Sequence, residues 1–284
     1  MSPAAFAMRC CLTAEAAVAR ATLDFAVAGG HTALLRQHVP YPFHVTRPFY
    51  LDPERPGLAT LYLQSASGGI YRGERLALTI TAGSSAAAAV TTQSATIVHD
   101  CRGHAATQTV HLALGQDSLL VYAPDPVVLF PGAALRTILH VTLAPGSVAM
   151  CQDGFACHDP AGHGSAFGHI ASETIVRTPD GRQHMTDRGL IYGATLDKTC
   201  SPLGPYRAAG GIALLGMLLP HGKALQDQID ALNCLSGVSA LPNGIGTGIR
   251  LLATDGGALS RGLAVAFSAC FQAAVGTLPA ARRK

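Results

Sequence analysis

The residues best suited to chemistry in this 284-residue chain are the thiols and imidazoles of Cys151, Cys157, His158, His163 and His169, with Asp153 and Asp159 among them. Thiolate and imidazole bind zinc, nickel and copper, which makes Cys151, Cys157, His158 and His163 candidate metal ligands. Their spacing matches no standard zinc finger or metalloprotease pattern. Pro160, Gly162 and Gly164 put the cluster in a loop, and an exposed His-rich loop beside a buried cysteine would read the same way. Cys101 and His104 form a smaller pair of the same kind. A catalytic metal held at the Cys151–His169 loop would make the chain a metal-dependent hydrolase.

Other chemistry is thinner. No Gly-x-Ser-x-Gly elbow occurs, so nothing marks an activated serine. Asp125 lies between Pro124 and Pro126, which stiffen the backbone and restrict the carboxylate's direction. Ser172-Glu173 falls in a polar break between Ile170 and Ile175. Two positioned carboxylates can share acid–base work, although Asp and Glu are more often simply exposed. Gly68, Gly69 and Gly73 invite a phosphate-loop reading, but that motif needs a helix after its glycines. Here Leu76, Leu78 and Ile80 alternate with Arg75, Ala77 and Thr79, which is the period of a strand.

The elements that must position these residues are mostly short strands. Residues 22–27 alternate, with Leu23, Phe25 and Val27 on one face, and residues 31–37 follow the Gly29-Gly30 turn. Pro42 and Pro48 keep residues 41–50 extended, and residues 60–64 make another strand. A unit of strand, turn, strand then recurs. Leu78-Thr-Ile80 precedes Gly83, Leu112-Ala-Leu114 precedes Gly115, and Val141-Thr-Leu143 precedes Gly146, with these glycines 31 or 32 residues apart. That period suits stacked units, though a β-rich chain also produces it by coincidence. Near the end the period changes. Leu225, Ile229 and Leu232 predict a helix over residues 223–235 ended by Gly237; Leu259, Leu263, Ala266, Phe267, Cys270 and Phe271 predict a second over 258–275. The expected architecture is a single domain over residues 1–284, mainly β. Its stacked strands form β-helix-like layered sheets over about 20–220, capped by two C-terminal helices.

Charged residues are 13% of the chain and hydrophobic ones 49%, against a usual charged share of about 25%. Few groups are left to keep the surface wet, and the apolar patches this implies mark partner surfaces. A formal charge of +3 is too small to argue for nucleic acid, and the basic Arg282-Arg283-Lys284 reads as a tail. Residues 76–98 are uncharged and long enough to cross a bilayer, but their Thr, Ser and Gln and a Gly-Ser turn argue against a membrane span. Residues 1–21 lack a cationic start and carry Glu15 and Arg20, unlike a secretory signal. Eight cysteines without a Cys-x-x-Cys pair suit reduced, mostly buried thiols in a cytoplasmic protein. A polysaccharide-binding solenoid would want aromatic platforms, and 6% aromatic content without Trp disfavours it.

With these segments in view, the chain resembles the UreD (also called UreH) family of urease accessory proteins. The likeness begins at Thr46-Arg-Pro-Phe-Tyr50 and is densest at Gly68-Gly-Ile-Tyr-Arg-Gly-Glu-Arg-Leu76, where Glu74 replaces the family's usual Asp. It continues through Thr91-Thr-Gln-Ser-Ala-Thr96, Pro124-Asp-Pro-Val-Val-Leu-Phe130, and Gly237 to Arg250-Leu-Leu. Departures are Gly168-His169 and Ser172-Glu173 where the family has Gly-Arg and Gly-Glu, and a last helix without the aromatic-and-Arg ending. The resemblance implies a scaffold rather than a catalyst. Such a protein binds apo-urease, recruits the accessory protein UreF and through it the GTPase UreG, and offers nickel a polar interior route toward the urease active site. On that reading Asp125 and Glu173 line the route. Gly68, Gly69, Arg72, Gly73, Glu74, Thr92 and Gln93 serve the scaffold or a partner face. No cofactor is tightly bound, and nickel is transient.

The scaffold and hydrolase readings part on one measurement. The purified chain dialysed against a chelator is expected to lose nickel and to hold no stoichiometric zinc. Zinc retained at one ion per chain would establish the hydrolase instead.

Overall fold

A computed structural model describes residues 17–196 and 201–281. Cys10, Cys11, Cys200, Arg282, Arg283 and Lys284 lie outside the described residues, as do residues 1–16. The strands in chain order are β1 (Val18–Ala28), β2 (His31–His38), β3 (Phe43–Val45), β4 (Ala59–Ser65), β5 (Arg75–Ala82), β6 (Ala87–Thr92), β7 (Ile97–Val98), β8 (Ala106–Leu114) and β9 (Leu119–Ala123). Then come β10 (Val127–Leu129), β11 (Ala134–Leu143), β12 (Val148–Cys157), β13 (His169–Arg177), β14 (Gln183–Tyr192), β15 (Ala208–Leu215), β16 (Cys234–Ala240) and β17 (Gly246–Ala253). Helix α1 (Gly222–Asp230) precedes β16, and α2 (Gly256–Val275) follows β17.

Seven strands form a first sheet in the order β14-β13-β11-β8-β5-β1-β2. Ten form a second along β16-β17-β15-β12-β9-β6-β4-β3, with β10 joining β12 and β7 joining β10. In the first sheet β1, β5, β8, β11 and β13 run parallel. In the second, β4, β6, β9 and β12 do so.

The expected repeat is thus a stack of coils, each laying one strand on either sheet. Arg75 pairs with Thr107, a step of 32 residues, and Ala106 with Leu135, a step of 29. On the second sheet Ala87 pairs with Leu119 and Leu119 with Val148, repeating both steps. The turn glycines are therefore not all equivalent. The carbonyls of Gly83 and Gly115 accept the turn hydrogen bonds from Ala86 and Ser118, whereas in the next coil Ala144 accepts from Ser147. Gly146 lies two residues further on at φ +71°, where a Cβ would collide with the Asp117 carboxylate of the preceding coil.

Two cores hold the layers together. Leu23, Leu78, Leu112 and Val141 of the first sheet meet Ala88, Val90, Leu120 and Ala149 of the second. The opposite face of the second sheet, with Ala89, Val121, Met150, Ile212 and Ile249, packs on Leu225, Ile229, Leu259, Leu263, Phe267 and Phe271 of the helices. Being covered on both sides, β9 and residues 87–90 of β6 are continuous apolar runs, while β5 and β8 alternate because their sheet has one free face.

Four expectations need correction. The Cys151–His169 cluster is not one loop: Cys151 and Cys157 lie in β12 and His169 in β13, because these segments pair with neighbouring strands, and only residues 158–168 connect them. The first predicted helix ends at Asp230, not at 235. Asp230 accepts hydrogen bonds from the Ser236 amide and hydroxyl, both at 2.7 Å, and this folds the chain back. Cys234–Ala240 can then pair along β17, which satisfies more backbone groups than another helical turn would, and Gly237 sits mid-strand opposite Arg250. Ser172-Glu173 is no break either; both lie inside β13 between two neighbouring strands. The second helix starts at Gly256, two residues before the expected start, capped by the Asp255 carboxylate on the Ala258 amide at 2.8 Å. It is long and apolar enough to cross a membrane by length and composition, but its apolar face is spent on the second sheet.

Leu78 is fully buried where the two sheets meet. Leu78→Ala is expected to cost about 3 kcal/mol, read as a lower urea midpoint at unchanged slope.

Candidate functional site

The core between the sheets is interrupted by a cavity of about 1160 Å³. Coil register decides its lining. On the inner face of the first sheet Gln108 pairs with Thr137, and Thr137 with Ser172, a polar row across three parallel strands. Ser172 in turn faces Gly189 on β14. On the second sheet Asp153 pairs with Gly211, and Gly211 with Arg250. Gln108, Thr137, Ser172, Asp153, Asp187 and Arg250 all line the cavity.

Arg250 closes one side of it. Gly211 has no side chain to separate its neighbours, and a Cβ there would stand 2.9 Å from Arg250 Nη1. The guanidinium crosses that gap, Nη1 donating to Asp153 Oδ1 at 3.0 Å and Oδ2 at 3.2 Å, while Nη2 donates to Asp187 of the first sheet. One cation thereby ties the two sheets together. The side chains of Arg250, Asp153 and Asp187 are 55%, 49% and 45% exposed, so the cavity meets solvent here, as it also does at exposed Gln93, Ser94 and Ala95. Asp153, then Asp187, strengthens the charged form of Arg250 against the opposing effect of burial.

The opposite wall is a coil corner. Thr91 Oγ1 donates to the Ala123 carbonyl at 2.7 Å, the Asp125 amide to Thr92 Oγ1 at 2.8 Å, and Gln152 Nε2 to the Pro124 carbonyl at 2.8 Å. Gln64 donates to Gln93, and His44 Nδ1 lies 2.6 Å from Gln64 Oε1. Asp125, Thr92, Gln93, Gly68 and Gly69 are all on the cavity wall. Gly69 is irreplaceable on geometric grounds: its φ is +152°, and a Cβ would sit 2.6 Å from the Ile97 carbonyl oxygen. Outside the cavity lining, Gly73 takes φ +67° and Glu74 accepts from the Tyr71 amide at 3.0 Å, closing the turn; Arg72 is exposed.

Glu173 points the other way. Buried Ile170 and Val176 define the inner face of β13, and alternation leaves Glu173 on the outer one. There it pairs with Arg188 at 2.6 Å and Arg136 at 3.4 Å. The Arg188 hydrogen bond, foremost, holds its carboxyl below the ordinary carboxylate range. Glu173 is among the residues that line the cavity, but its carboxylate is committed to Arg188 and Arg136 on the outer face.

The soft-ligand candidates are dispersed. Cys151 is buried beside Tyr122, and burial pushes its thiol up to about 12 and the Tyr122 hydroxyl upward as well. Cys157, raised by burial to about 11, donates from Sγ to the Arg207 carbonyl at 3.1 Å. The His158 ring packs near Phe130 at 5.6 Å, and His163 lies in an exposed loop. Asp159 organises that loop by accepting from the Ser165 and Ala161 amides at 3.0 and 3.2 Å. Cys101 is buried, with Sγ donating to the Ala134 carbonyl at 3.3 Å, while His104 uses its backbone carbonyl to accept from Gly73. Among the described residues, no three His, Cys, Asp or Glu side chains are grouped so as to hold a metal ion.

Sequence reasoning missed Arg250 and Asp187 as site residues. The available signal was a lone charge in the apolar strand Ile249-Arg250-Leu251-Leu252, with the Gly210-Gly211 pair elsewhere in the chain to make room for it.

A sequence model described as "UreD urease accessory protein" matches residues 17–284. "Urease accessory protein UreD 1" of Methylorubrum extorquens is 45% identical over 268 residues, 93% of this chain and 91% of that one. The protein of the same title from a Bradyrhizobium species is 43% identical over 276 residues, 96% and 98% of the two chains. A third, from Pseudomonas syringae, is 35% identical over 260 residues, 90% and 91%.

Burial makes a checkable statement about the thiols. In a Cys10→Ser/Cys11→Ser/Cys200→Ser background, Cys151 and Cys270, each raised to about 12, are expected to resist a thiol reagent at pH 8 until the chain is unfolded. Their contribution to stability is complete below the ordinary thiol value of about 8.5. It is lost as pH climbs toward about 12, because the unfolded chain ionises first.

Proposed function

We infer function from one premise: this chain belongs to the UreD family of urease accessory proteins. Its finer role, as proposed, is to hold apo-urease while nickel is inserted, to link urease to a UreF-type protein and through it to a UreG-type GTPase, and to give the ion an interior path. The observation that carries this reading is the 1160 Å³ inter-sheet cavity lined by Asp125, Asp153, Asp187, Gln108, Thr137 and Ser172. Oxygen ligands of this kind bind a divalent ion weakly enough to release it. Nickel is cargo on this path, not a resident cofactor, and the role is that of a scaffold working in the cytoplasm without catalysis of its own.

Support for partner docking comes from the surface. Leu190 and Tyr192, 54% and 53% exposed, stand on the outer side of the edge strand β14.

In a urease-positive host, Asp125→Ala is expected to lower urease nickel content and activity on the order of tenfold. Co-purification with apo-urease should persist. Glu173→Ala should do less, because its carboxylate already serves Arg136 and Arg188. Urease of full nickel content with Asp125→Ala would overturn the path.

A further inference from the structure

We propose that Arg250 gates one mouth of this cavity: its guanidinium occupies the place of a divalent cation between Asp153 and Asp187, and an ion enters there only when Arg250 swings out. This rests on the cavity being the ion's path, and it assigns the group that controls admission there.

Charge comes first. Asp153 belongs to the second sheet and Asp187 to the first, and a cation between them relieves the repulsion of two facing carboxylates. With Arg250 seated the trio carries one net negative charge; with it withdrawn the pair carries two, the complement of a divalent ion. Seated, the positive guanidinium also repels any cation arriving at this half-exposed edge.

The backbone provides room for the movement. β17 lies between β15 and β16, and the residues level with Arg250 on either side are Gly211 and Gly237. The guanidinium now lies over Gly211. On the other side a Cβ at Gly237 would meet no atom within 4 Å, so the place beside it is open, and Gly237 itself lines the cavity. A side chain hinged on β17 can exchange one glycine gap for the other without moving a strand. Carboxylate and water then suit a borderline ion held loosely.

The test uses the full chain and Ni²⁺ alone, followed by calorimetry. Arg250→Met is expected to bind Ni²⁺ tighter than the unsubstituted protein, on the order of tenfold, since a unit positive charge beside the ion is gone. Arg250→Met/Asp153→Asn/Asp187→Asn should lose that gain, and Arg250→Lys, which keeps the charge, should not show it. Gly237→Val, filling the vacant gap, should weaken Ni²⁺ binding relative to the unsubstituted chain and slow urease nickel loading in cells. A folded Arg250→Met, judged by its melting curve, with no gain in Ni²⁺ affinity overturns the gate. If Arg250→Met fails to fold, unimpaired nickel loading by a folded Gly237→Val overturns it. A gain with Arg250→Met alongside normal urease nickel with Asp125→Ala would keep the Arg250 site and remove the path reading instead.

Discussion

Every parallel strand in this stack must present its backbone in register to the coil before it, and a slip of one residue would turn its apolar face to water. That constraint sets the rest of the structure. Because Thr107 lies against both Arg75 and Arg136, Leu112 falls between Ile80 and Val141, and the inter-sheet core is built row by row. The same register aligns Gln108, Thr137 and Ser172. A polar row is thus as much a product of the stacking as an apolar one.

Polar rows inside a protein are costly unless they find partners or water. Here the sheets separate around them and leave a cavity instead of a packed layer. The separation is bridged where Arg250 reaches Asp187, and nearby Asn243 Nδ2 donates to the His184 carbonyl at 2.7 Å. Glycines do complementary work at the same places: Gly211 admits the arginine and Gly69 admits the Ile97 carbonyl. The second sheet can carry an open inner side because much of its other face packs on α1 and α2.

Soft ligands and oxygen groups are segregated in this arrangement. Among the described residues the strong ligands are kept apart, and burial raises the Cys151 thiol to about 12. The cavity lining joins side-chain oxygen and amide groups from several strands to a larger apolar share that includes Leu76, Val110 and Phe155.

Much of the fold was legible in the chain itself. The period-2 pattern of Leu76, Leu78 and Ile80, the recurring turn segments and the helical spacing from Leu259 to Phe271 specified stacked strands and a covering helix, because burial on one face imprints its period locally. The signature segments likewise identified the family. Other features depended on contacts distant in sequence. α1 stops at Asp230 because β17 offers a partner strand; Glu173 faces outward because β13 is a strand and not a break. Asp153, Asp187 and Arg250 meet only because three strands from two sheets converge. Local pattern encodes which face is apolar. Which polar side chains share a space is decided by how the sheets stack, and no short-range spacing records that.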